Sequence, residues 1–258
     1  MRETRTILAA LILLFAGTAH AMEGVFDRSA EIEKYIALAT SGTRGELTLV
    51  AKDIYVSGLS DRRLAEAVSQ RLLKDYVGIA QNQSSDIQYG RWMIKALASF
   101  GVSEYAATLS EVKKRAKVAK LRSEAGEELE QIAWHKTKNE IMATRINHKE
   151  GDNQRASQLM NLLRSDDFTY KYQAADRISW EKLVEPRILE EMSAQMLKYM
   201  DETDMNASRA QSKTLGYYAK LLGYSGEPKY RETLEKVIAS KAGTLVKRRA
   251  KDALGKLN

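Results

Sequence analysis

The stretch from Trp92 to Ile132 is written a second time, without a gap, from Tyr217 to Leu257. Lys95, Leu97, Gly101, Tyr105, Thr108, Leu109, Val112, Ala125 and Leu129 return unchanged as Lys220, Leu222, Gly226, Tyr230, Thr233, Leu234, Val237, Ala250 and Leu254. The offset of 125 residues is about three times a ~40–47-residue two-helix period, so the copies read as the second and fifth units of one stack. A unit of that length cannot bury its apolar face alone, and a chain built from such units must close its core by stacking neighbours. The only prolines, Pro186 and Pro228, each follow a glutamate and stand 42 residues apart. Proline suits the first turn of a helix, where its missing N–H has no partner to lose. Their spacing measures the same period independently.

After Ser29 the apolar residues recur at helical spacing, and the alternation of a half-buried strand is sustained nowhere. Helices are expected at 30–40, 46–57, 61–76, 87–100, 103–115, 119–142, 153–165, 168–179, 186–201, 206–223, 228–239 and 244–256, as six pairs. Ser60-Asp61, Ser103 with Glu104, and Asp152-Asn153 read as N-caps. Gly101 and Gly226 stand where a left-handed C-cap is wanted. A further pattern opens the second helix of several pairs: Arg122, Ala125, Leu129; Lys171, Ala174, Ile178; Lys247, Ala250, Leu254. The i, i+3, i+7 spacing puts each trio on one helix face, with the small alanine where helices approach closely.

These trios resemble the inner helix of HEAT repeats, and Asp166 and Asp167 resemble the acidic residue that family places in the intra-repeat turn. The resemblance implies an all-α fold, a right-handed α-α superhelix of about five to six antiparallel helix pairs. It also implies that Arg122, Lys171 and Lys247 are structural, with Lys171 facing Asp166 or Asp167. The fourth unit approaches the trio only through Arg209 and Ser212, residues 133–152 run long and polar, and residues 22–58 read as an N-terminal capping pair. A single solenoid domain is expected over 22–258. Such scaffolds carry no recognisable code for their partners.

Residues 1–21 have the form of a secretory signal peptide. Arg2 and Arg5 precede the apolar run Ile7 to Phe15, and Ala19-His20-Ala21 offers a cleavage site near Ala21. The run is shorter than the roughly 18 residues that cross a bilayer. A periplasmic or secreted protein is expected, neither transmembrane nor, lacking any cysteine, a lipoprotein. Loss of the leader removes two basic residues and one acidic one, so the formal charge falls from +7 to +6. Outside the cytoplasm that balance suits anionic lipid, anionic glycan or an acidic protein as well as simple solubility.

No constellation for chemistry emerges. His135 and His148 on a polar stretch make a poor metal site. No Gly-x-Ser-x-Gly elbow or glycine-rich phosphate loop is present. Glu124, Glu127, Glu128 and Glu130, and Glu190-Glu191, read as solvated helix faces. Trp92, Trp134 and Trp180 could form a base-stacking shelf, but Trp92 aligns with Tyr217 and reads as core packing, and the leader argues against nucleic acid. Tyrosines gather late in the chain, from Tyr170, Tyr172 and Tyr199 to Tyr217, Tyr218, Tyr224 and Tyr230, as residues suited to an interface. The expected function is a non-catalytic scaffold or protein-binding module, without cofactor or metal, whose partner is a periplasmic or envelope protein. The rival is a basic module for anionic envelope lipid or glycan, using Lys113, Lys114, Arg115 and Lys117 in one cluster and Arg248, Arg249 and Lys251 in another. Because the copies map what the fold demands, function is expected where they differ, as in the polar stretch after Ile132.

Overall fold

A computed structural model describes residues 25–202 and 209–257; the expected signal peptide and the start of the helix expected at 206–223 lie outside them. Among the described residues there are twelve α-helices: α1 (Ser29–Ser41), α2 (Arg44–Ser57), α3 (Arg62–Asp75), α4 (Ser84–Ser99), α5 (Ala106–Arg115), α6 (Ala119–Ala143), α7 (Gln154–Leu163), α8 (Phe168–Glu181), α9 (Pro186–Tyr199), α10 (Arg209–Ser225), α11 (Arg231–Ala239) and α12 (Thr244–Leu254). Their ends agree with the expected ones to within three residues. No strand occurs among the described residues, only one isolated bridge between Val25 and Thr144. No described helix is long and apolar enough to cross a membrane.

The punctuation explains the boundaries. Asp61 accepts from the N–H groups of Arg63 and Leu64, and Asn153 from that of Ala156, each satisfying donors that a helix start leaves open. Thr43 and Glu46 form a capping box at α2. Pro186 opens α9, and Pro228 opens the short 3₁₀ turn leading into α11. The Ser103 side chain caps nothing; it too begins a 3₁₀ turn, before α5.

The helices pack as six pairs in two rows. The second helices of successive pairs, α2, α4 and α6, then α8, α10 and α12, lie close against one another, while the first helices touch less, so the second helices form the inner row. The duplication is wider than its sequence trace. The α4–α6 stretch maps onto α10–α12 at 125 residues, with Gly101 at φ +70° and Gly226 at φ +69°. The earlier helices map at 124. Ala51 and Ile54 correspond to Ala175 and Ile178, and the Ser69–Thr108 hydroxyl pair at 2.8 Å recurs as Ser193–Thr233 at 2.8 Å. The chain is thus two copies of a three-pair body, each with its own apolar core, one over Tyr35–Ile132 and the other over Met142–Leu257.

The basic residue of the trio has a different task from the one expected. Arg122 donates to the carbonyls of Ala116 (2.7 Å) and Lys117 (3.1 Å) beyond the end of α5, and Lys171 donates to Leu163 O (2.8 Å) at the end of α7 and to Gln195. In these two pairs the second helix therefore sends a cation back to the carbonyl-rich end of its partner, where the helix dipole favours it. Asp167 instead caps α8 through Thr169 N.

The copies diverge at α6. Its counterpart α12 ends at Leu254, the equivalent of Leu129, whereas α6 continues to Ala143. The continuation crosses the ends of α2 and α4. The Asn139 amide is shared among the carbonyls of Leu59 (2.9 Å), Ser99 (2.8 Å) and Phe100 (3.2 Å), and Met142 lies against Gly58. The second half docks through α7 on this continuation, so α6 and α8 do not pack closely as other inner neighbours do. The stack is offset there, and a cleft opens in its inner row.

Candidate functional site

The cleft is built around the C-terminal end of α2. A helix end leaves carbonyls without intrahelical partners, and three of these are met by cations from three elements. Arg28 donates to Ser57 O (2.5 Å), Arg155 of α7 to Val56 O (3.1 Å), and Lys138 of α6 to Tyr55 O (3.1 Å). Arg155 also holds Glu181 of α8 through two bonds of 2.9 and 2.8 Å, so one guanidinium ties the two halves together.

Beneath Tyr55 lies a buried charged cluster. Glu124 and Glu128, each 4% exposed, are one helical turn apart on the face of α6 turned toward α4. Arg91 reaches Glu124 at 2.5 Å, and Lys95 reaches Glu124 at 2.5 Å and Glu128 at 3.0 Å. The solvated-face reading fails for these two carboxylates, because α4 supplies cations that make burial affordable; Glu127 and Glu130 are exposed as expected, and Glu190 is exposed while Glu191 is half-buried and paired with Arg164. Burial opposes ionisation of Glu128, yet His135 and Lys95 outweigh it and hold its carboxyl below the usual range. Burial pushes the His135 imidazole the other way, below its usual value, against the pull of Glu128. Burial thus favours the neutral imidazole at His135. Its Nε2 faces Glu128 at 3.4 Å, and its Nδ1 is buried without a hydrogen-bond partner.

The cleft has a volume of about 630 Å³. Its walls are Lys52, Asp53, Tyr55 and Val56 of α2, Trp92 of α4, Leu159 and Leu162 of α7, and Tyr172, Gln173, Asp176, Arg177, Trp180 and Glu181 of α8; Lys138 and Met142 of α6 also line it. Trp180 is 77% exposed at the rim. Trp92 turns its edge toward Tyr55, with ring centroids 6.0 Å apart, and carries the Lys52 ammonium on its ring at 5.6 Å. It packs on the core and walls the cleft as well, so the core-packing reading was half of its role. Lys138, 3% exposed, has its ammonium 5.5 Å from the Tyr55 ring and 5.6 Å from that of Trp134. Burial and Arg155 push its amine down to about 7, with Glu128 pulling the other way.

From the cleft an aromatic and cationic ladder continues along the inner row. Tyr172 meets Tyr217 edge-on at 5.5 Å, and Tyr217 donates to Asp176 at 3.0 Å. Lys220 lies over both Tyr217 and Tyr224 at 5.4 Å, and Lys256 over Tyr224 at 3.7 Å. The other late tyrosines do different work: Tyr170, Tyr218 and Tyr230 are buried, and Tyr199 packs against Phe168.

The residues expected to contact an anion or partner lie elsewhere. Lys113, Lys114 and Arg115 end α5 and Lys117 follows it, all exposed, with Arg115 paired to Glu111 at 3.2 Å. Arg248, Arg249 and Lys251 are exposed on α12. None of the seven lines the cleft, and the two clusters belong to the third and sixth pairs. Lys138, Tyr55 and Arg177 had no motif to reveal them; the available signal was the place where the copies part, after Ile132. The described residues contain no group of three metal-ligating side chains. No protein-family model and no curated protein matched the chain.

Proposed function

We propose that this protein is a non-catalytic binding module, exported by the leader read at residues 1–21, which holds a segment of a periplasmic or envelope protein in the cleft between its halves. The observation that carries this reading is the cleft itself, opened by the one helix that breaks the duplication and rimmed by an exposed tryptophan. Its volume falls in the range of ligand-binding clefts, about 300–1,000 Å³. Aromatic side chains anchor protein interfaces because they offer large contact area at little cost in conformational entropy. Both acidic and basic groups line the cleft, Asp53, Asp176 and Glu181 with Lys52 and Arg177, which suits a peptide of mixed polarity better than a lipid tail.

A photoreactive phenylalanine placed at Trp180 tests the reading. Exposed to envelope extract, it is expected to give a discrete protein adduct, and the same group at Gln70, an exposed residue of outer helix α3, is expected to give none. Equal labelling from both positions would sink the proposal. The ladder from Tyr172 to Lys256 favours a second reading, an anionic envelope glycan stacked on tyrosines and paired with lysines; an adduct at Trp180 that resists protease would favour it.

A further inference from the structure

Resting on that reading, we propose that the cleft receives a carboxylate on an apolar or aromatic body, the carboxylate seated on Lys138 and the body held between Trp92 and Trp180. The charges around Lys138 lead to this. On its own helix, Glu128 is engaged by Lys95 of α4 and His135, and Glu124 by Arg91 and Lys95. From α7, Arg155 is matched by Glu181 of α8. At the rim, Arg177 of α8 pairs with Asp176 at 3.4 Å, while Lys52 and Asp53 of α2 are exposed to water, with the Lys52 ammonium over the Trp92 ring. The Lys138 ammonium is the buried cation left over. Its partners are one carbonyl, Tyr55 O, and two ring faces.

An ammonium has three donors, and this one spends a single donor on Tyr55 O. A buried cation without a counter-ion is costly. Here it lines an open cleft, so a ligand can supply the missing anion without displacing a protein group. A carboxylate accepts from such a donor more strongly than a neutral amide does. The aromatic walls then favour an apolar body next to the acid and disfavour a bare inorganic anion.

Two sources share this chemistry, the C-terminal carboxylate or acidic side chain of a protein segment, and a free aromatic or aliphatic acid. The chain's three tryptophans all stand at this place, Trp92 and Trp180 in the walls and Trp134 against Lys138, so intrinsic fluorescence reads occupancy directly. The full chain would be titrated with N-acetyl-Leu-Phe as free acid and as C-terminal amide, and with 3-phenylpropionate and its amide, at pH 6 and pH 8.5. The acids are expected to bind at least tenfold more tightly than their amides at pH 6, and to lose several-fold at pH 8.5 as the amine loses its proton, while the amides stay constant. Tight binding by the peptide acid alone supports a protein segment as source; binding by both acids supports a free acid equally.

Lys138→Met, checked for native dichroism, is expected to abolish the difference between acid and amide. Equal binding of acid and amide by the wild-type chain, or no binding of either acid, overturns the assignment of Lys138. A Trp180-specific protein adduct obtained together with such a result would leave the binding-module reading standing and remove only the carboxylate.

Discussion

Lys138 shows how one side chain can serve the fold and leave a chemical opening. Its ammonium meets Tyr55 O at the carbonyl end of α2, where the helix dipole welcomes a cation. The same burial pushes the amine down to about 7 from the ordinary lysine value of 10.5. Between those values the folded chain carries the neutral amine while the unfolded chain stays protonated. The unfolded state then binds more protons, so stability rises with pH across that window. The cost of burying the charge is fully present below about pH 7. Lys138→Met removes that cost together with the bond to Tyr55 O. The melting temperature of the wild-type chain, relative to that of Lys138→Met, is therefore expected to rise between pH 7 and pH 10. Parallel curves for the two proteins would contradict the shift.

At the scale of elements, the continuation of α6 is what separates the two copies, and paired glycines measure it. Gly101 and Gly226 have the same left-handed backbone, φ +70° and +69°, in which an L side chain costs about 1–2 kcal/mol. A Cβ on Gly101 would lie 2.5 Å from Lys136 N and 2.9 Å from Lys136 Cβ, while one on Gly226 would meet nothing within 4 Å. Gly226→Ala is expected to lose about 1 kcal/mol of stability through backbone strain alone. Gly101→Ala is expected to lose at least about 2 kcal/mol more, because α6 must shift away. Urea denaturation of both variants checks this, and equal midpoints would mean that α6 does not press on that turn. The two glycines were legible in the sequence as C-caps, as were the twelve helices, since periodicity and capping residues act over a few neighbours. The different surroundings of Gly101 and Gly226 were not, because they depend on where α6 ends: Glu130 follows Leu129 where Gly255 follows Leu254, and a missing glycine does not say how far a helix runs on. Glu124 and Glu128 escaped for a related reason: their partners Arg91 and Lys95 are about thirty residues away, and only packing decides whether a carboxylate one turn from another faces water or a lysine.

For the molecule as a whole, two cores joined at one seam make cooperativity a property of that seam. In stacked repeats, stability is close to a sum of the units and their nearest-neighbour interfaces, so weakening one interface can uncouple what lies on either side. Arg155 joins α7 to Glu181 of α8 and to Val56 O of α2. Arg155→Ala leaves both cores intact but strips Glu181 of its counter-ion and Val56 O of its donor, at a cost of about 1–3 kcal/mol. Trp92, Trp134 and Trp180 all stand at the seam, so their emission follows its opening, while far-UV dichroism follows the helices of both halves. In Arg155→Ala the fluorescence transition is therefore expected at lower urea than the dichroism transition, with the two closer together in the wild-type chain. If both probes shift to the same extent and stay coincident, the halves unfold as one body and the seam is no weaker than the cores it joins.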